Sequence, residues 1–343
     1  MFIELYICKM FRFFFLFLFI PILIFAQNIN KNQFSERCNY IDGKPNRTFG
    51  GSSWYGGFSD HLPIYCEFNH YGNNIFTMFY NVENLFDTID DPNKNDSSFL
   101  PNSEKKWNTN KYLNKLGQLE RVFTAINSKE KPNIIGLSEV ENKLVIEDLL
   151  KQPFFEDHTY QILHQESPDS RGIDCAILFD EKFKLIKSDF IKVKIPGVDR
   201  PTRDIVYAQF QINNDIFNVF VNHWSSRWGG ADETAYKRIY AANVLKEYIE
   251  KNIDKGDLLL IMGDFNDYPS NNSIKNNLLK TNNIDLINLM SNLNCGSYKY
   301  KGEWGWLDQI IVSSNLIKNN NQFYVVDYGA FVDEWMLYRP KNK

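Results

Sequence analysis

Apolar positions in this chain recur with two periods that alternate along its length. Ile64–Phe68 and Ile75–Tyr80 are short β-type runs joined by "NHYGNN", whose Gly and Asn residues predict a hairpin. From Tyr112 to Ser128 the period lengthens, placing Leu113, Leu116, Leu119, Phe123 and Ile126 on one helical face. "NIIGLS" (133–138) is expected to be a buried strand, and "KLVIEDLL" (143–150) to open a helix. Tyr160–His164, Asp174–Phe179, Ile205–Ile212 and Ile216–Val221 are rich in Ile, Val, Tyr and Phe and are expected to be strands. Ala231–Asn252 has the pattern of a long amphipathic helix, while "DLLLIM" (257–262) and "QIIVS" (309–313) are buried strands. Helices alternate with strands, yet hairpin neighbours also occur, so mixed sheets are expected. The predicted fold is a two-sheet α/β sandwich with helices outside, in one domain because no Pro/Ser-rich linker divides it.

The first 26 residues follow a different pattern. Lys9 and Arg12 precede a 13-residue apolar run, Phe13–Phe25, that ends at Ala26-Gln27. A basic start, a short apolar stretch and a small residue predict a cleaved signal peptide over 1–26, leaving a mature domain at 27–343 that is secreted or periplasmic. The apolar run is shorter than the ~20 residues a spanning helix needs and contains Pro21, so no stable membrane anchor is expected.

Composition narrows the function only slightly. The chain has 343 residues, 43% hydrophobic and 23% charged, with a net charge of −4 that becomes −5 without Glu4, Lys9 and Arg12. A mildly acidic surface carries no global footprint for nucleic acid, so any phosphate recognition must be local. Cys38, Cys66, Cys175 and Cys295 are widely spaced and are expected to be buried free thiols; no spacing suggests a zinc site.

The informative residues share one address, the end of an apolar strand. Asn81 ends "IFTMFY", Glu139 ends "NIIGLS", Asn222-His223 end "IFNVFV", and Asp264 and Asn266 follow "LLLIM". Asp308 precedes "QIIVS", and Asp60-His61 precede "LPIYCEF". Taken singly, an Asp or Asn after a strand is a turn former or helix cap. Six strand ends with the same small vocabulary point instead to one cleft. Carboxylates and amide oxygens without thiolates suit a hard cation, Mg²⁺ or Mn²⁺ with Ca²⁺ as a third candidate. Two histidines add acid/base capacity, and the combination is what phosphoester hydrolysis requires.

"FYNVENLFD" (79–87), "IIGLSEVEN" (134–142), "RGIDCAILF" (171–179), "NHWSSRWGG" (222–230), "GDFNDYP" (263–269), "WLDQIIVSS" (306–314) and "SDHLP" (59–63) together resemble the endonuclease/exonuclease/phosphatase superfamily. The resemblance covers nearly the whole mature chain. It implies an α+β, deoxyribonuclease I-like four-layer sandwich of two mixed β-sheets flanked by helices. It further implies Glu139 as the main metal carboxylate, with Asn81 beside it and Asp60 on the metal side. Asp264 and Asn266 would bind and polarise phosphate or water, Asp308 would orient His61, and His223 would be the second acid/base group. Asn222 would be a phosphate donor. Arg171 and Arg227 would be phosphate forks or, equally, loop ion pairs.

One departure concerns order. In the family the Ser-Asp-His strand comes last, whereas here it precedes everything else, so the sequence implies a circular permutation with 27–70 as the displaced C-terminal segment and 75–343 as the remainder. The site is then completed within one chain, by strand exchange in a dimer, or not at all. The superfamily includes nucleases, phosphatases and sphingomyelinase-type phosphodiesterases. Export and His223 favour an endonuclease acting on DNA or RNA; a secreted phosphatase or lipid phosphodiesterase, and an inactive binding protein, remain as alternatives. Trp54, Tyr55, Trp224 and Trp228 are candidates for stacking on bases.

Overall fold

The computed structural model describes residues 42–127, 130–317 and 322–339, all within one unit, Asp42–Lys343. The leader at 1–26 and Cys38 lie outside the described residues. Twelve strands build two six-stranded sheets among the described residues. They are β1 (Ile64–His70), β2 (Asn73–Leu85), β3 (Ile134–Val140), β4 (Gln161–His164), β5 (Asp174–Phe179) and β6 (Lys184–Ile191), then β7 (Ile205–Ile212), β8 (Asp215–His223), β9 (Leu258–Asp264), β10 (Leu286–Asn288), β11 (Asp308–Ser313) and β12 (Phe323–Ala330). The first sheet runs β12-β1-β2-β3-β5-β4 and the second β10-β11-β9-β8-β7-β6. Each contains a single parallel pair, β2 with β3 and β8 with β9, flanked by antiparallel neighbours. The expected mixed sheets are therefore present, and so is the predicted hairpin between β1 and β2.

Burial explains the two kinds of strand pattern. Ile75 to Val82 are all buried, because β2 has the second sheet on one face and a helix on the other. β1, by contrast, alternates: Ile64, Cys66, Phe68 and His70 point inward while Tyr65, Glu67 and Asn69 are half-exposed. Helices α1 (Thr109–Ile126) and α2 (Lys143–Leu150) belong to the first sheet's outer layer, with Leu116, Leu119, Val122 and Phe123 buried. Leu113, expected on that face, is 55% exposed; the buried stripe instead passes through Tyr112 and Lys115. Helix α3 (Ala235–Asn252) starts later than Ala231 and covers the second sheet, packing Ala241, Ala242, Leu245 and Ile249 against Tyr207, Phe220, Leu259 and Ile261. No helix among the described residues is long and apolar enough to cross a membrane.

The segment before β1 is fastened from both sides. Lys44–Pro45 pairs antiparallel with Leu337–Tyr338, so the two ends of the described chain lie side by side. Lys115, buried on α1, donates to the Thr48 hydroxyl at 2.6 Å and to the Phe58 carbonyl. Burial pulls its pKa below the usual value, against the opposing influence of Glu83 and Asp60. Cys66 and Cys175 are buried and free as expected, whereas Cys295 is disulfide-bonded, which corrects the free-thiol expectation there.

Gly136 in β3 sets the spacing of the two sheets at their centre. A Cβ there would stand 2.8 Å from Val221 Cγ2 and 3.1 Å from Met262 Cε, in β8 and β9. Gly136→Val is expected to overpack the inter-sheet core and lower unfolding free energy by about 1–3 kcal/mol. Urea denaturation checks this, with an unchanged m-value marking a stability effect alone.

Candidate active site

Asn81, Glu139, His223 and Asp264 all stand where a parallel ladder ends or breaks. His223 and Asp264 are the last register partners of β8 and β9, and Asp264 faces Asp308 across the antiparallel β9–β11 ladder. In the first sheet the register shifts between Asn81 and Leu85 and between Ser138 and Val140. Such bulges bend a strand end and re-aim its side chains. Glu83, Asn84 and Glu139 take left-handed φ angles of 49°, 54° and 64°, and Asn266 one of 50°. Non-glycine residues adopt this region only when surrounding bonds impose it. Here the Asn84 N–H donates to Glu139 Oε2 at 2.9 Å, and the Asn266 N–H to Asp264 Oδ1 at 2.9 Å.

Asp264 Oδ2 is the meeting point of both sheets. Asn81 Nδ2 donates to it at 3.1 Å, and the Nε2 atoms of His223 and His61 lie 3.6 and 3.9 Å away. Glu139 Oε1 is 3.8 Å from the same His223 nitrogen. His61 is held from behind, with Nδ1 2.7 Å from Asp308 Oδ2. Two buried serines fix this pair. Ser59 Oγ accepts from the His61 N–H and donates to the Asn81 carbonyl, while Ser297 Oγ accepts from the Asp308 N–H. Both members of the pair belong to one chain, so completing it requires no exchange of strands between copies.

Charge divides the two histidines. Burial opposes protonation of His61, but Asp308, Asp264 and Asp60 outweigh it and hold the imidazole's pKa well above its ordinary value. His223 moves the other way: burial, reinforced by Arg203, Arg171 and His61, drives its pKa well below that value. Its Nδ1 has no hydrogen-bond partner. Asp264 is pushed up to about 7 by burial and by the crowding of Asp308 and Glu139, against the pull of His61. One imidazole held toward its protonated form and one held toward its neutral form thus face Asp264.

The other expected residues divide between cleft and frame. The cleft, about 580 Å³, is lined by Asp60, His61, Glu139, His223, Asp264 and Asn266, and also by Arg171 and Arg227. Asp60 is paired with Arg47 at 3.0 Å, and the same guanidinium binds Glu83 at 2.9 Å. Arg171 pairs with Asp169 at 3.2 Å; Arg227 reaches Asp267 at 3.3 Å and lies over the Tyr268 ring. Both arginines therefore make the loop ion pairs that were the alternative to phosphate forks, while still facing the cleft. Asn222 does not line it. This residue is fully buried, and its amide accepts from Trp224 Nε1 at 3.1 Å and points back to the Met262 carbonyl. Of the four candidate aromatics only Trp228 lines the cleft; Trp224 is buried against Phe265, Trp54 packs on Phe49 and Trp107, and Tyr55 stacks on Tyr338.

Arg47, Glu83, Arg203 and Tyr298 escaped the sequence reading. Arg203 lies just before β7 and obeys the same strand-end rule, which was its available signal. Tyr298, whose ring centroid is 4.8 Å from that of His61, follows no such rule. The donor set fits a hard cation. Asp264 is crowded by carboxylates to the edge of protonation, and the available ligand atoms are oxygens and imidazole nitrogens without thiolate. Glu139 and Asn81 would hold it, with Asp264 adjoining, whereas Asp60, expected on the metal side, is engaged by Arg47. The acidic and imidazole ligand atoms that lie within 4.8 Å of one another here are those of His61, Asp264 and Asp308.

Removing the Asp308 charge should lower the His61 pKa. In chelator-treated protein, Asp308→Asn is expected to shift the imidazole titration of His61, followed by ¹H–¹⁵N correlation spectra, to lower pH. Because the folded pKa is raised, His61 stabilises the parent fully below about pH 6.5, and that contribution is lost as pH rises through the folded value. An unmoved titration would show that the 2.7 Å contact does not govern His61.

The chain is similar in sequence to known proteins. The model of the Endonuclease/Exonuclease/phosphatase family matches residues 15–70 and 76–342. The exodeoxyribonuclease III of Haemophilus influenzae is 28% identical over 161 residues, which is 46% of this chain. The chain thus spans only 56% of the curated relative it matches. Among solved structures, a functionally unknown conserved protein from Enterococcus faecalis V583 aligns with TM-score 0.46 and 19% identity over 69% of this chain and 86% of that one. Humanized D. rerio TDP2 aligns with TM-score 0.45 and 16% identity over 59% and 78%.

Proposed function

The chain belongs to the Endonuclease/Exonuclease/phosphatase family, and from that premise we propose that it is an exported, divalent-metal-dependent phosphodiesterase that cleaves nucleic acid internally. The observation that carries the chemistry is the convergence on Asp264 of two histidines whose pKa values are pushed in opposite directions. Glu139 and Asn81, beside Asp264, would hold the cation, whose contribution when bound is to offset charge on the phosphate and its transition state. Neutral His223 accepts a proton from the attacking water at Nε2. Protonated His61, oriented by Asp308, donates its Nε2 proton to the departing oxygen as the P–O bond breaks. Asn266, fixed by its own bond to Asp264 Oδ1, stands at the same rim.

The likeness to an exodeoxyribonuclease supports nucleic acid as substrate, and Arg171, Arg227 and Trp228 in the cleft suit a phosphate chain with flat bases. Export is supported by the leader and by the disulfide at Cys295, which an oxidising compartment would preserve. We also propose that the motif order is a circular permutation of the family's. The paired ends at Lys44 and Tyr338, the β1–β2 hairpin turning at Tyr71-Gly72, and a family match broken between residues 70 and 76 support it.

The mature chain from Gln27 is expected to nick supercoiled plasmid in Mg²⁺, to stop when chelator is added, and to lose roughly 10²-fold or more in rate as His61→Ala. A parent that leaves plasmid intact while hydrolysing a small phosphomonoester or a sphingomyelin-type diester would replace the nuclease reading with the phosphatase or lipid one. Tight binding without turnover of any of these substrates would make the protein an inactive scaffold.

A further inference from the structure

A second cavity, about 560 Å³, adjoins the cleft and has the opposite charge. Arg171, Arg200, Arg203 and Lys237 line it against a single carboxylate, Asp169. That carboxylate is already engaged by Arg203 Nη1 and Arg171 Nε, each at 3.2 Å. Arg200 and Lys237 have no ion-pair partner among the described residues. In a chain of net charge −4, this concentration of uncompensated cations runs against the overall sign.

Buried polar groups in its wall are also left open. Arg203 is only 5% exposed, yet its Nε has no hydrogen-bond partner, and the buried Thr202 hydroxyl beside it has none either. Native interiors seldom leave such donors unsatisfied, and a ligand oxygen would complete them. Ser225 and Ser226 add hydroxyls to the same lining. Guanidinium forks, an ammonium and hydroxyls form a donor set suited to a tetrahedral oxyanion.

Arg171, Arg203, Ser226 and Trp228 line both cavities, which therefore share a wall. Trp228 stands on that wall 87% exposed, a large ring with nothing packed over it. We propose that the second cavity is a phosphate subsite, taking the phosphate next to the scissile one while Trp228 stacks on the base between them. It selects a nucleotide chain that is single-stranded where it crosses the wall, because only an unpaired base offers its face to a ring. This rests on the hydrolase reading of the neighbouring cleft.

The test is binding of a fluorescein-labelled oligothymidylate, read by anisotropy across a salt series with chelator present to prevent turnover. Arg200→Ala/Lys237→Ala is expected to raise Kd at least ~10-fold and to flatten the slope of log K against log salt by about 1.4, or ~0.7 for each lost phosphate contact on a single strand. Trp228→Ala should raise Kd and leave the slope unchanged. Circular dichroism confirms that each variant is folded, and Arg203 is left intact because it is part of a buried network. Parental Kd and slope in the folded double variant, or a parent that does not bind the oligonucleotide at low salt, would overturn the proposal. Hydrolysis of bis(4-nitrophenyl) phosphate by the parent in Mg²⁺ is scored separately. Binding that the double variant loses, in a parent without any turnover, keeps the anion subsite and rejects the hydrolase reading instead.

Discussion

Two parallel strand pairs, one in each sheet, determine where this protein places its reactive groups. Parallel neighbours end together, so a polar residue at the end of each strand is delivered to the same edge by backbone hydrogen bonds alone. In the second sheet that ladder sets His223, Asp264 and Asp308 in one row across three strands. Packing the two sheets face to face then brings Asn81 and Glu139 against the row. The geometry of the cleft is inherited from the core, and its tolerance is that of a close-packed interior.

Such an edge is electrostatically expensive. Asp264, Asp308, Glu139 and Asp60 lie close together, and buried like charges disfavour one another. The structure responds in three ways. His61 takes up a proton, Arg47 neutralises the Asp60 flank, and Asp264 sits near protonation. His223 has no carboxylate behind it and is surrounded by Arg203 and Arg171, so it stays neutral although the same Asp264 oxygen lies beside it. Two chemically identical side chains acquire different roles from what stands behind them.

Much of this was legible in the sequence because strand ends are visible in it. Where an apolar run stops and a carboxylate, amide or imidazole follows, the local pattern and the site coincide, and His61, Glu139, His223, Asp264 and Asp308 were all found that way. Orientation was not legible. Asn222 ends its strand like the others, but its side chain turns inward to Trp224, since successive residues of a strand face opposite sides. Leu113 fits a helical stripe whose true centre lies one residue away. β6 and β12 are edge strands without clean alternation: Lys184, Ile186, Lys187, Ser188 and Asp189 are exposed in β6, while in β12 Tyr324, Asp327 and Tyr328 are half-buried beside exposed Val326. Long-range partners were the least visible: nothing near Arg47 or Lys115 in sequence announces Glu83 or Phe58.

His61 and Asp308 are 247 positions apart in the chain. At ribosomal elongation rates, that gap amounts to roughly 10–50 s between the emergence of the histidine and the arrival of its carboxylate. During this interval no nascent chain, however well its early strands have formed, holds the pair. The element met first by a growing chain is thus the one that waits longest for its partner, and the cleft is a property of the finished polypeptide alone.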